Sequence, residues 1–375
     1  MNTQVSKNNF KEGISLTERV TAKSSSLPIL ASILLCAKKS SLEIIGTDLE
    51  IGVRYRVLAN AQDEGNIAVP AKSLSSFISI ISGDQVFLET KGEGLVVKSG
   101  GFETKLKTLS AEEFPIIPSL KGDEKVVSMS ARELCDGISQ VVGFAGTMQA
   151  HPELSGVYFS FSGEELRVAS TDIFRLAERI IILPKKIAEE ANFILPQKAA
   201  KELLSLFGDR DGDVFLHISS TQITCEYNKE KDPLVPHIQL VSRVMEGEFP
   251  AYGSHIPTTG KASFRMSKED ALSHFRAAGI FAGKSNEVRL VIRPKKGDIS
   301  VLAQNTETGE SSSRFQGEGE GEELRVSFNW KFLVDGLSQI KTEHVDMLCS
   351  SEEGPTLLRP VGAKNFFYLI APLRA

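Results

Sequence analysis

The chain has 375 residues, of which 41% are hydrophobic and 24% charged, with 43 basic against 48 acidic side chains. That length exceeds what one hydrophobic core organises, so two or three domains are expected, and the composition excludes a collagen-like, disordered or disulfide-scaffold chain. No run of about 18 apolar residues could span a membrane, and residues 1–10 lack the apolar core of an export signal. Cys36, Cys135, Cys225 and Cys349 are too widely spaced for a zinc or redox motif, so a protein of the reducing cytoplasm is expected. The net charge of −5 says little about partners, because a total hides distribution.

In chain order, the first expected helix covers 5–23. A strand-like stretch follows at 42–48 (LEIIGTD), and alternating apolar and polar residues over 49–57 predict another strand. The block NIAVPAK at 66–72 opens a helix over 72–82, where Leu74, Phe77, Ile78 and Ile81 share one face. Turns at 82–84 and 91–94 separate further short strands, and the stretch closes on Phe114 and Pro115. The same order then returns. A helix is expected over 130–146, with Leu134, Ile138, Val141 and Val142 at helical spacing, and LRVASTD stands at 166–172. NFILPQK at 192–198 leads into a helix over 197–207, 209–213 reads as a hairpin turn, and Phe249 and Pro250 close the stretch. A third, weaker pass has a helix over 267–284, ISVLAQN at 299–305, VSFNWK at 326–331 and a helix over 330–341. The period is about 125–135 residues, long enough for each copy to hold its own core, unlike a solenoid repeat. The sequence therefore predicts an α+β chain of three tandem copies bounded at 1–125, 126–260 and 261–375. Each copy should pack two amphipathic helices against about eight strands in antiparallel sheets.

The six expected helical segments carry a net +5, which leaves −10 for the rest. If their exposed faces, such as the one bearing Ser73, Ser75, Ser76 and Ser79, turn in one direction, they form a mildly positive lining. Such a lining favours phosphate backbone and is blind to base sequence. Solvated, lysine-rich helix faces account for the same charges.

Other patterns imitate known chemistry. AGIFAGKS at 278–285 ends like a phosphate-binding loop, but Ala278 replaces the first glycine and the segment closes a helix instead of joining strand to helix. Gly283 reads better as a helix C-cap, with Lys284 near the negative end of the dipole. DRDGD at 209–213 begins like a calcium loop, with Val214 where glycine and Ser220 where glutamate are required. Thr47-Asp48 and Thr171-Asp172 could be acid–base carboxylates, and a turn duplicated with its domain accounts for them more simply. The six histidines show no metal or triad spacing, and GEGEGEE at 317–323 reads as an acidic flexible loop. No catalysis and no cofactor are expected. A nucleotide-dependent enzyme using Gly283, Lys284 and Ser285, and a monomeric protein-interaction scaffold, stand as the alternatives.

The residues carrying the repeat resemble a known family, the bacterial DNA polymerase III beta subunits, or sliding clamps. The resemblance rests on LPIL at 27–30, GTDLE at 46–50, VPAK at 69–72, Thr171-Asp172 with Arg175-Leu176, GEFP at 247–250 and the tail YLIAPLR at 368–374. It runs in the family's order from about residue 5 to the C-terminus. It implies a non-catalytic homodimer, closed head to tail as a ring of six domains around double-stranded DNA, helices inward. Topology and weak, sequence-independent phosphate contacts then keep it on DNA. Lys72, Lys198 and Lys331, equivalent across the copies, would face DNA together with Lys7, Lys11, Arg132 and Arg276.

The resemblance also implies a cleft between the second and third domains. It would take short, partly hydrophobic peptides of the DNA polymerase III alpha subunit, the clamp loader, other DNA polymerases and repair proteins. That cleft falls on Leu154, Thr171, Arg175, Leu176, Pro250, His255, Leu369, Pro372, Leu373 and Arg374, with the arginines orienting polar groups of the peptide. Ile173 and Phe174 stand where the family usually has glycine and histidine, and His255 where it usually has an aliphatic residue. The subunit contact is expected where Ile280 and Phe281 of the third copy meet Ile78 and Leu106 of the first, with Glu307 and Glu310 paired to basic groups across the seam. Neither a cofactor nor a membrane is implied.

Overall fold

Each third of the chain repeats one order of elements in the computed structural model, which describes residues 1–22, 27–118, 120, 122, 124–147, 150–228 and 237–374. The first third runs β1 (Asn2–Ser6), α1 (Lys7–Glu18), β2 (Ser32–Lys38), β3 (Ser41–Thr47), β4 (Ile51–Asp63), β5 (Gly65–Pro70), α2 (Ala71–Ile80), β6 (Gln85–Lys91), β7 (Gly94–Ser99) and β8 (Phe102–Lys107). The second repeats it as β9 (Lys125–Ser130), α3 (Ala131–Val141), β10 (Gly156–Ser162), β11 (Glu165–Thr171), β12 (Arg175–Ile182), β13 (Ala191–Pro196), α4 (Gln197–Phe207), β14 (Asp213–Ile218), β15 (Gln222–Tyr227) and β16 (His237–Arg243). The third is β17 (Ala262–Ser267), α5 (Lys268–Gly279), β18 (Glu287–Arg293), β19 (Asp298–Asn305), β20 (Gly309–Gly321), β21 (Leu324–Asn329), α6 (Trp330–Gln339), β22 (His344–Cys349), β23 (Thr356–Pro360) and β24 (Phe366–Ile370). Among the described residues each third thus holds two helices and eight strands, the α+β architecture that the periodicity predicts.

Packing divides the chain differently, into two compact units: Met1–Asp136 with Lys198–Met245, and Gly137–Gln197 with Glu246–Ala375. The physical cause is strand pairing across copies. In the first unit one antiparallel sheet runs β8-β7-β6-β1-β4-β16-β15-β14-β9, with β3, β2 and β5 branching from β4. In the second, the order is β13-β10-β11-β12-β24-β23-β22-β17-β20-β19-β18-β21. The last strand of one copy therefore adds to the long strand of the copy before it. β16 pairs β4 with Ser242 opposite Ile51, and β24 pairs β12 with Ile370 opposite Arg175.

Local chemistry starts and seats the helices. Ser267 accepts from the backbone N–H of Asp270 to open α5, and Asn329 accepts from that of Lys331 to open α6. The glycine repeated in the first helices permits close approach to the sheet: a Cβ on Gly13 would come 2.5 Å from the Tyr55 ring, and one on Gly137 2.5 Å from Ile181. Phe10, Ile14, Leu35 and Tyr55 are buried in the first unit, and Phe159, Phe275, Phe328 and Tyr368 in the second.

Several expectations are corrected. Helix α4 matches its expected 197–207, but the other five helices are shorter than their apolar periodicity, which continues into turns packed on the same core, and the six together carry +1 rather than +5. Arg19, Lys284 and Lys341 lie beyond helix C-termini, and Lys23 lies outside the described residues. Strand β4 starts at Ile51, because Leu49 and Glu50 belong to a turn. Gly283 is not a C-cap: α5 ends at Gly279, and Gly283 takes φ 60° within turns over 280–286 that lead into β18. The segment 209–213 joins α4 to β14 and is not a hairpin. The Gly-Glu alternation at 317–321 is the end of β20, paired with β17. The Phe264 ring covers its glycine face, where a Cβ on Gly317 or Gly319 would come 2.4 or 2.6 Å from the ring, so the period of two marks a strand and not a flexible loop.

Candidate functional site

The two Thr-Asp pairs make one turn twice. Thr47 Oγ1 donates to Ile51 O (2.8 Å) and accepts from Leu49 N (3.0 Å), while Asp48 Oδ1 accepts from Glu50 N (3.0 Å) and Ile51 N (2.8 Å). Thr171 and Asp172 make the same four bonds with Arg175, Ile173 and Phe174. Leu49 and Ile173 both take φ 79°, a left-handed conformation that suits glycine and strains a β-branched side chain. These carboxylates serve backbone geometry and ion pairs, Asp48 with Lys198 and Asp172 with Arg175.

In the second unit this turn forms one lip of a groove of about 400 Å³. Nine of the ten expected cleft residues line it: Leu154, Thr171, Arg175, Leu176, Pro250, His255, Leu369, Pro372 and Arg374. Leu373 does not; its backbone N–H donates to Ser327 O (2.8 Å) and its side chain is about one-third exposed. Ala371 N donates to Phe174 O (2.8 Å), so tail and turn hold each other in place. Ile173 and Phe174 contribute exposed apolar surface to the wall. Tyr252, Glu353, Pro355 and Ala371 complete the lining and were not expected. Tyr252 was within reach, two residues past Pro250, whereas nothing local in the sequence marks the loop that brings Glu353 and Pro355.

Arg175 is tied into the fold as well as lining the groove. Its side chain is 13% exposed, Nε donates to Asp172 Oδ2 (2.8 Å), Nη1 donates to Asp335 Oδ2 (2.7 Å), and the Phe144 and Phe332 rings lie 5.2 and 4.3 Å away. Burial works against its charge, and the bonds to Asp335 and Asp172 more than offset that, raising the group above its ordinary range. Two of the five guanidinium N–H groups are thus held by the fold, and the side chain still lines the groove. His255, Glu353, Arg374 and the Tyr252 hydroxyl supply the groove's remaining charged and titratable groups.

Lys72, Lys198 and Lys331 are the second residues of α2, α4 and α6, and all three are exposed. A cation in a helix's first turn opposes the dipole by about 0.3–1 kcal/mol. Lys198 offsets that cost by pairing Asp48. Lys331 lies 6.0 Å from the Trp330 ring. Lys7 donates to Ile81 O at the end of α2, Arg132 pairs Asp211 at 3.3 Å, and Lys11 and Arg276 are exposed helix residues.

Of the expected contact residues, Ile280 is 73% exposed just past α5, and Phe281 and Leu106 are half-buried. Ile78 is fully buried within its own copy, which corrects its assignment to an interface; the exposed apolar residue of α2 is Ile80. Burial pushes the thiols of Cys36 and Cys349 up to about 11 and that of Cys135 to about 12, so they stay protonated and unreactive. Among the described residues, no three His, Cys, Asp or Glu side chains are grouped to hold a metal ion, and no helix is long and apolar enough to cross a membrane.

Comparison with known proteins covers nearly the whole chain. Residues 1–118, 128–251 and 254–374 match the N-terminal, central and C-terminal domains of the DNA polymerase III beta subunit. The beta sliding clamp of Synechococcus elongatus is 25% identical over 98% of this chain and 97% of its own length. The solved DNA polymerase III beta subunit of Thermotoga maritima is 26% identical with a TM-score of 0.91, covering 100% of this chain and 99% of that one. A Pseudomonas aeruginosa sliding clamp solved bound to griselimycin is 25% identical with a TM-score of 0.93, covering 100% of both chains.

Proposed function

Because the chain belongs to the DNA polymerase III beta subunit family and is a DNA sliding clamp, a non-catalytic processivity factor, we propose how its own residues perform that role. Two copies close head to tail into a ring around double-stranded DNA in the cytoplasm, with domains bounded at 1–125, 126–260 and 261–375. The observation that carries this reading is an unfinished strand pairing. Each copy's last strand adds to the long strand of the copy before it, but β8 has no copy before it and β20 has none after it. Among the described residues β8 pairs β7 alone, and residues 309–316 of β20 pair β19 alone. A second copy supplies both missing partners, and two such contacts close the assembly with no free edge at the seam. The register seen at Ser242–Ile51 and Ile370–Arg175, carried over by the repeat, sets Leu106 opposite Gly309 of the second copy. Lys105 then faces Glu310 as an opposite-charge cross-strand pair, and Ile80, Ile280 and Phe281 supply apolar surface.

Lys72, Lys198 and Lys331, with Lys7, Lys11, Arg132 and Arg276, form the DNA-facing set. Their contacts with phosphate are weak and salt-screened, which permits sliding, while ring closure prevents escape. The groove of the second unit takes short, partly apolar peptides from the DNA polymerase III alpha subunit, the clamp loader, other DNA polymerases and repair proteins. Griselimycin takes the same groove. Light scattering should give twice 40.9 kDa, and loaded protein should stay on closed circular DNA and leave linear DNA. A monomer, or equal loss from both DNAs, would refute the ring. Lys105→Glu alone should weaken the dimer, and adding Glu310→Lys should restore it.

A further inference from the structure

Beside the groove a carboxylate is buried where an aliphatic strand residue would be ordinary. Glu178 lies on β12, 3% exposed, opposite Ala169 of β11 and Phe367 of β24. Phe367 belongs to an apolar cluster with Leu176, Leu357 and Leu369. Burial penalises an ionised carboxylate heavily unless its oxygens are used. Here Oε2 accepts the hydroxyl of Tyr252, and Oε1 lies 3.6 Å from Arg167 Nη1. Tyr252 is a groove residue on the linker that follows the second copy, between Pro250 and His255. Its ring stands edge-on to Phe249 at 5.9 Å, and Phe249 stacks on Tyr158 at 4.8 Å.

The first junction uses the same device with different chemistry. Arg54 is the repeat equivalent of Glu178, and Ile117 that of Tyr252. Arg54 Nη2 donates to Ile117 O at 2.6 Å. Two chemically unrelated bonds, each from one strand position to one linker position, point to a task kept while its residues changed: tying the linker to the sheet.

We propose that Glu178 is a positioning residue of the groove: through the Tyr252 hydroxyl it fixes the wall formed by Pro250, Tyr252 and His255 before a ligand arrives. A wall already held in place spares the ligand the work of ordering it. This rests on the groove reading above, and the experiment separates the two. The full chain is titrated with griselimycin by calorimetry, and its melting is followed in parallel. Glu178→Val removes the acceptor and keeps a strand-forming side chain. It should weaken griselimycin about tenfold, while the melting temperature changes little, because Arg167, the charge left behind, is 46% exposed and keeps its pair with Glu165. Glu178→Gln keeps an oxygen for Tyr252 and should bind within about twofold of the unsubstituted chain. Tyr252→Phe should match Glu178→Val, and the double variant should lose no more than either single one, as coupled partners do. Affinity lost only in step with melting temperature, or Glu178→Val binding unchanged, overturns the proposal. Failure of the unsubstituted chain to bind griselimycin overturns the groove reading instead.

Discussion

At the first junction between copies, Ile117 seats over Gly52, where a Cβ would come 2.7 Å from its Cδ1, and joins a closed core with Leu30, Ile45, Phe114 and Val241. At the second junction the repeat-equivalent residues are Tyr252 and Leu176. A full side chain stands where the glycine was, and Tyr252 lies half-buried on the wall of an open groove beside Leu369, the equivalent of Val241. Duplication provides the same place twice, and one small-to-large exchange accompanies the difference between a site the chain fills itself and one it leaves to a partner.

The ionic clasps of the two junctions differ in the same sense. The sixth residue of α4, Glu202, is held by Arg19 at 3.0 Å, with the arginine half-exposed. The sixth residue of α6, Asp335, is held by Arg175, which is 13% exposed and also bonded to Asp172. The burial is reversed between the partners: a half-exposed Arg19 covers a Glu202 that is 11% exposed, whereas a buried Arg175 reaches out to an Asp335 that is 51% exposed.

The comparison can be broken in four ways. The largest effect is expected from removing residues 373–375, which takes Arg374 from the groove and Leu373 from Ser327. Griselimycin binding should disappear while the dimer persists in light scattering; retained binding would show that the tail is no part of the site. Next, denaturant unfolding of Arg175→Ala, which loses two charge-assisted hydrogen bonds and two ring contacts, should show a loss of about 3 kcal/mol, against about 1–2 kcal/mol for Arg19→Ala, which leaves one mostly buried carboxylate without its cation. Equal losses would erase the distinction between the clasps. Third, glycine at the two left-handed turn positions relieves strain. Ile173→Gly should raise stability by about 1 kcal/mol, and Leu49→Gly by less because leucine is not β-branched; a drop in melting temperature for Ile173→Gly would count against strain there.

The smallest effect concerns pH at the first junction. Glu226 Oε1 lies 2.9 Å from His237 Nε2, and Oε2 lies 3.2 Å from His217 Nε2. Gln239 links the carboxylate to Arg54, accepting from Arg54 Nη1 and donating to Glu226 Oε1. The hydrogen bond from His237 is the main cause holding the Glu226 carboxyl below the usual glutamate range. A carboxyl depressed in the folded state stabilises above the unfolded value near 4.3, and that stability is lost as pH falls through the folded value. Glu226→Gln should therefore flatten the acid side of the unfolding profile below about pH 5, by under about 1 kcal/mol. A steeper acid limb in the variant would contradict the assignment.

Much of this was legible in the residues. Leu74 and Ile78 announce α2 by their spacing, and the Thr-Asp turn appears twice because its hydrogen bonds close within four residues. Nine groove positions followed from resemblance. What was misread has a common cause. Gly-Glu alternation looks flexible until Phe264, some fifty residues earlier in the chain, covers it. Ile78 looks like interface until its helix lies down on its apolar face.

Residue order alone therefore determined the threefold repetition, the helices and the turns, since apolar period and short-range hydrogen bonds are written in neighbouring residues. Only the tertiary structure decided which strands cross from copy to copy, that Ile117 closes one junction while Leu176 and Tyr252 leave the other open, and that Asp335 of α6 meets Arg175. Those outcomes depend on side chains far apart in sequence competing for the same space and the same hydrogen bonds, and that competition is settled only when the sheets assemble.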